Sequence, residues 1–297
     1  MSGNMKSVYG QGKDNYMFKI RLKSTILFVW CLILTAICLV PIYILLINAT
    51  REASEIAGGL SIVPGSHFMK NVETMRTDFK QQFRPLIGYR NSAIITISAT
   101  FLSVFFSALT AYGIHVYDFK LKEISYTAIL LVMMVPAQVT AAGFLNFMVK
   151  IHLTDSYIPL IVPAAAAPAI VFFMRSYMKS SFPLDIVEAA RIDGCSEFRT
   201  FLTIAIPMMK PAIAVQAIFA FVAQWNNFYT PSMILLSNKM SQRTLPMMIA
   251  NVQSMDTYKD YGVVYTCIAI SIIPIIIAYI LLSRFIIAGV ALGGVKE

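Results

Sequence analysis

The chain carries apolar runs at 25–48, 91–114, 124–149, 157–178, 208–236 and 261–287, each longer than a strand or an ordinary core helix needs. A bilayer core about 30 Å thick takes about 20 residues of helix. At that depth the backbone must satisfy its own hydrogen bonds, which leaves helices or closed barrels. Continuous apolar runs, with no ten-residue alternation, exclude the barrel. The expected fold is therefore all-α: a polytopic membrane protein with six transmembrane helices. Composition agrees, at 58% hydrophobic and 13% charged residues, against about 25% charged in soluble domains.

The first run is too long for a signal-peptide core of about 7–15 residues, and no A-x-A-like site follows it, so it reads as a retained span. Its leader, 1–24, holds Lys6, Lys13, Lys19, Arg21 and Lys23 against Asp14 alone. That bias puts the N-terminus in the cytoplasm. Residues 49–90 then form an extracytoplasmic loop, 91–287 a five-helix core, and 288–297 a cytoplasmic tail. Pro136 breaks the third span, and Pro159, Pro163 and Pro168 make the start of the fourth irregular. The net charge of +9 is scattered, with no basic helix face, which excludes nucleic acid. Anionic lipid headgroups account for it. The four cysteines form no C-x-x-C, and His67, His115 and His152 stand apart, so no metal site is expected.

Between the fourth and fifth spans lies a charged, helix-patterned module at 183–207. Asp185 and Glu188 have capping-box spacing. Gly194 stands where a left-handed helix stop is wanted, and Ser196 is placed to cap a second helix. In that helix Phe198, Phe201, Leu202 and Ala205 make one apolar stripe, which packs back on the spans, and Pro207 ends it. A polar helix-turn-helix wedged between spans lies in water. It reads either as a docking element for a partner that supplies energy or as an inert surface connection.

No catalytic residue emerges. The chain has no G-x-S-x-G and no H-E-x-x-H, and Gly12-Lys13 lacks the upstream glycine of a phosphate loop. Energy for uphill movement must come from a partner or an ion gradient. An ion-coupled carrier needs ionisable groups inside its spans, and here acids and bases sit at span edges. The spans instead hold neutral polar and aromatic residues: Tyr112, Gln138, Asn146, Gln224, Trp225, Asn226, Asn227 and Tyr229. Amides exchange hydrogen bonds with hydroxyls and rings stack on sugar faces, so these residues suit a neutral, hydroxyl-rich solute. The plainer role is interhelical hydrogen bonding, worth about 0.6 kcal/mol each. An ion-coupled carrier and a non-transporting scaffold both stay open at this point.

Glu188-Ala189-Ala190, Gly194, Ile204 and Ile206-Pro207 resemble the E-A-A…G…I-x-L-P signature of permease subunits of bacterial binding-protein-dependent ABC importers. The text Glu188 to Gly194 is similar to the carbohydrate-uptake, maltose-permease-like branch. Asn91-Ser92, Ala111-Tyr112, Val135 to Val139, Trp225-Asn226-Asn227-Phe228 and Gly294-Val295-Lys296 match as well. Ile206 replaces the usual Leu, and Asn227 stands where relatives often carry an acid. The resemblance implies a multi-pass protein of the bacterial cytoplasmic (inner) membrane with both termini inside. It implies a heterodimer with a second permease, two cytoplasmic ATPase subunits and an extracytoplasmic solute-binding protein. ATP and Mg would be held by the ATPase, with no cofactor in this chain. Asp185, Glu188, Ala189, Ala190, Arg191, Asp193 and Gly194 would form the ATPase-coupling element, and the tail residues Lys296 and Glu297 would also touch the ATPase.

Overall fold

The computed structural model describes residues 3–237, 239–254 and 260–293, and all their regular secondary structure is helical. In order the helices are α1 (Gly3–Asn48), α2 (Ala53–Ala57), α3 (Phe68–Thr77), α4 (Pro85–Val116), α5 (Lys122–Met133), α6 (Ala137–Lys150) and α7 (Ile158–Ile161). There follow α8 (Pro168–Ser181), α9 (Asp185–Ile192), α10 (Glu197–Thr200), α11 (Ile206–Met208), α12 (Lys210–Trp225), α13 (Tyr229–Ile234), α14 (Leu245–Gln253) and α15 (Tyr261–Gly293). The segment drawn from the sequence as a plain loop, 49–90, thus contains two short helices and the first turns of α4.

Four helices are long and apolar enough to cross a membrane; two bent pairs bring the number to six if each is one span. The first pair, α5 and α6, bends by 97° next to Pro136. The second bends by 80° at Met209, between α11 and α12. The fifth apolar run also stops short of its expected end. α12 closes at Trp225, and the chain turns through Asn226 to Phe228 into α13. Amides in that turn bond the backbone locally: Asn227 Oδ1 accepts from Thr230 N at 3.2 Å. Such side chains compete with helical bonding.

The chain divides into two compact units. In the smaller, 1–73 with 260–269, the carbonyls at the end of α1 need donors from outside the helix. Asn71 Nδ2 supplies both the Ala49 and Arg51 carbonyls at 3.0 Å, and Thr266 Oγ1 adds a bond to Ala49 at 3.1 Å. The larger unit is built on α4, which packs against α8, α12 and α14. A fully buried Asn91 opens its hydrogen-bonded side, donating to the carbonyls of Ser241 and Arg243 at 2.9 Å each. Gly88 lets α14 close on α4: a Cβ there would lie 2.7 Å from Leu245 Cδ2. The other end of α4 enters a core of Ala108, Tyr112, Met174, Phe182, Val187, Phe201 and Met209.

The sequence leads one to expect almost no charge inside the spans, with acids and bases at span edges or in loops, and it gives no sign that a basic residue near the end of the fourth span is buried and paired. Arg175, within the fourth span, is buried. It pairs with Glu123 Oε1 at 3.2 Å and lies 3.7 Å from the Tyr126 ring centroid. Its partners are on α5, far away in sequence, so spacing could not pair them.

Candidate functional site

A cavity of about 320 Å3 lies among α4, α6, α7, α12 and α13. It gathers Gln138, Gln224, Trp225, Asn227 and Tyr229 of the residues expected from the sequence to line a solute path. Three others are elsewhere. Tyr112 is buried in the core at the far end of α4, with its ring 5.3 Å from that of Phe201. Asn146 is exposed, on the side of α6 away from buried Ala141 and Met148. Asn226 is exposed at the end of α12, where its N–H bonds the Val222 carbonyl.

The structure adds lining groups that the sequence did not single out. Ser92 and Thr96 come from successive turns of α4, and Thr244 from the segment before α14. Thr96 Oγ1 and Thr244 Oγ1 are buried without a hydrogen-bond partner among the described residues. An unsatisfied buried polar atom costs about 1–3 kcal/mol, so such groups are rare without a ligand or water to serve. Isolated threonines in apolar helices look like packing residues. Only their convergence marks them. Among the described residues, no carboxylate, Lys, Arg or His lines the cavity.

The polar module is ordered differently from its sequence pattern. Asp185 does not cap α9. The helix begins from Leu184, whose carbonyl accepts from Val187 and Glu188, and no side-chain cap is made. Asp185 instead sits in the first turn, where its charge suits the helix dipole. Ser196 does occupy the N-cap position of α10, in extended conformation, again without a side-chain cap bond. Gly194 has φ +76° and closes α9: Cys195 N donates to Ala190 O at 2.9 Å and Gly194 N to Arg191 O at 3.0 Å. That is the paired bonding of a Schellman stop.

α9 buries Val187 and Ala190 and presents Asp185, Glu188, Ala189, Arg191 and Asp193 to the outside. Ile192 is 87% exposed at its tip. Ala190, expected from the resemblance to face a partner, faces this chain's own core. Pro207 does not end the following helix. A π-turn over 201–205, closed by Ile206 N to Phe201 O, carries the chain into α11. The expected stripe is divided: Phe201 and Ala205 are buried, while Phe198 and Leu202, which share one flank of the helix, are exposed.

The module is tied back to the end of α4. Arg191 Nε donates to Glu197 Oε1 at 2.7 Å, and the Tyr117 hydroxyl donates to Glu197 Oε2 at 2.7 Å. Burial, and after it the bond to Glu197, push the Tyr117 phenol up to about 12, so it stays a donor at neutral pH. His115 Nε2 lies 3.1 Å from the Phe182 carbonyl, just ahead of α9. Exposed ion pairs contribute little to stability because water screens them, so this latch orients α9 more than it stabilises the fold. Lys296 and Glu297 lie outside the described residues.

Residues 103–291 match the family model described as binding-protein-dependent transport system inner membrane component. The chain belongs to that family. It is a multi-pass permease subunit of an ABC importer, a transport component and not itself an enzyme. Family membership also removes the ion-coupled carrier and the inert scaffold. The permease is 33% identical to the arabinooligosaccharides transport system permease protein AraQ of Bacillus subtilis (strain 168), over 93% of this chain and 96% of the relative. It is 28% identical to the lactose transport system permease protein LacG of Rhizobium radiobacter, over 86% and 90% of the two chains. Its fold is that of a chain in the crystal structure of a bacterial ABC transporter involved in import of the acidic polysaccharide alginate. The TM-score is 0.74 at 19% identity, covering 89% of this permease and 96% of that chain.

Proposed function

We propose that the permease forms, with a second permease subunit, the path for a neutral oligosaccharide delivered by an extracytoplasmic solute-binding protein. The observation that carries this reading is the cavity's lining: amides, unpartnered threonine hydroxyls and three aromatic rings, with no charged side chain among the described residues. Hydroxyl-rich solutes can satisfy such groups, and an anionic one would find no counter-charge there. The sugars in the relatives' names support the class.

In the same proposal α9 faces the cytoplasm, as do both termini, and docks in an ATPase subunit through Asp185, Glu188, Ala189, Arg191 and Asp193. Two such ATPases hold ATP and Mg; this chain holds neither. Their closure draws the coupling helices together and turns the spans toward an outward-open cavity, and hydrolysis reverses the motion. Lys296 and Glu297 add a tail contact to the ATPase pair.

The test uses proteoliposomes holding the complex purified through this chain, with its binding protein. ATP-driven uptake of arabinotriose or lactose is expected, and of an alginate trisaccharide not; uptake of the acidic sugar alone overturns the reading. Thr96→Val should raise the half-saturation concentration about threefold to tenfold, the worth of one net hydrogen bond of about 0.5–1.5 kcal/mol. Because the hydroxyl has no protein partner, thermal stability should not fall. A destabilised variant with unchanged uptake would assign Thr96 a packing role instead.

A further inference from the structure

The cavity wall formed by Trp225 is held by another helix, at a point where a proline interrupts its hydrogen bonding. Pro274 lies inside α15. It has no N–H, so it cannot donate to the carbonyl four residues back, that of Ile270. At bilayer depth such a freed carbonyl needs a donor from a neighbouring element. The Tyr89 hydroxyl from α4 donates to the Ile270 carbonyl. The indole Nε1 of Trp225, at the end of α12, donates to the adjacent Ser271 carbonyl at 3.1 Å. The Tyr89 and Trp225 rings are 6.3 Å apart, and Phe221 stacks on Trp225 at 5.7 Å with an 11° interplanar angle.

Trp225 is only 4% exposed, yet it borders two spaces. On one side is the polar cavity with Gln138 and Thr96. On the other is a groove of about 590 Å3 lined by Tyr89, Ala93, Ile97, Phe221, Ile273 and Ile277, almost wholly apolar. Its indole N–H is committed to α15 and is not available to a solute. Trp225 therefore acts through its ring, and the ring's position depends on the α15 carbonyls just ahead of Pro274.

We propose that Tyr89 and Pro274 are positioning residues. They hold the Trp225 indole as the partition between the solute cavity and the apolar groove, so the carbonyls of α15 beside Pro274 set the width and seal of the cavity on that side. The consequence for transport rests on the cavity being the solute path; the partition itself does not.

The partition is tested on the full chain in phospholipid nanodiscs with Trp30→Phe, which leaves Trp225 as the only one of the two tryptophans. Ultraviolet resonance Raman reads the indole N–H hydrogen bond, and quenching by brominated phospholipid reads access from the apolar side. The parent should show a bonded indole, weakly quenched. Pro274→Ala restores an N–H for the Ile270 carbonyl and competes with Tyr89 for it. It should weaken the indole bond and raise lipid quenching about threefold, the factor of one net hydrogen bond. Tyr89→Phe should move both signals the same way, and it decides the matter alone if Pro274→Ala fails to fold. Both signals unchanged overturns the proposal. Neither measurement uses a solute or an ATPase, so its failure is distinct from a failure of the transport reading. In the uptake assay, Tyr89→Phe should raise half-saturation for arabinotriose and leave the maximum rate unchanged.

Discussion

Gly194→Val should leave the permease in the membrane and strip it of ATPase coupling. At φ +76° a Cβ meets no neighbour within 4 Å, so the penalty is entirely in the backbone. A left-handed residue with a Cβ costs about 1–2 kcal/mol, and a β-branched side chain is worse. The chain relieves this by rotating to negative φ, which breaks the bonds from Cys195 N to Ala190 O and Gly194 N to Arg191 O. The last turn of α9 then frays: Arg191 loses the geometry set by its bond to Glu197, and Asp193 loses its bond to the Ala189 carbonyl. A loss of about 1.4 kcal/mol is a factor of ten in an equilibrium, so co-purified ATPase and solute-stimulated hydrolysis should fall about tenfold or more. Gly194→Asn, which tolerates the left-handed region, should keep most of both. If the valine variant binds and stimulates the ATPase normally, the coupling assignment of α9 is wrong.

The largest loss of stability is expected from Phe201→Ala. Phe201 is 1% exposed at the start of the π-turn, edge-on to Phe105 at 6.0 Å and tilted against Tyr112 at 5.3 Å. Removing a buried Phe typically costs about 3–5 kcal/mol. Phe198→Ala is the control: Phe198 is 58% exposed, and a surface change should stay within about 0.5 kcal/mol. Unfolding in detergent, followed by circular dichroism, should separate the two variants clearly. Equal losses would mean that both rings pack on the spans and that the stripe is not divided.

Those two phenylalanines show where sequence reasoning stops. Helical spacing puts Phe198, Phe201, Leu202 and Ala205 on one broad face, but only the flank carrying Phe201 and Ala205 meets the core, and a wide turn closed by Ile206 N to Phe201 O follows there. Such a turn has no reliable local signature. The Gly194 stop was legible, because a left-handed position excludes most other residues. The missing cap at Asp185 was not, because Pro183 and Leu184 start the helix one residue earlier than the acid pattern suggests.

For the candidate site, the amide and aromatic cluster near Trp225 drew notice for its density in an apolar run, and five of the eight residues expected along the path, Trp225 among them, do line the cavity. Thr96 and Thr244 did not, because a lone hydroxyl in a span carries no signal until another element leaves it unpaired. The number of apolar runs, the helical class and the exposed polar module follow from the sequence alone, since each is a sum over neighbouring residues in the chain. Which side chains meet at the cavity, which half of the module faces inward and what holds the Trp225 wall were decided only by the tertiary structure. Those contacts join residues far apart in sequence, such as Trp225 to Ser271 and Arg175 to Glu123, and packing selects one pairing among many that local chemistry would allow equally.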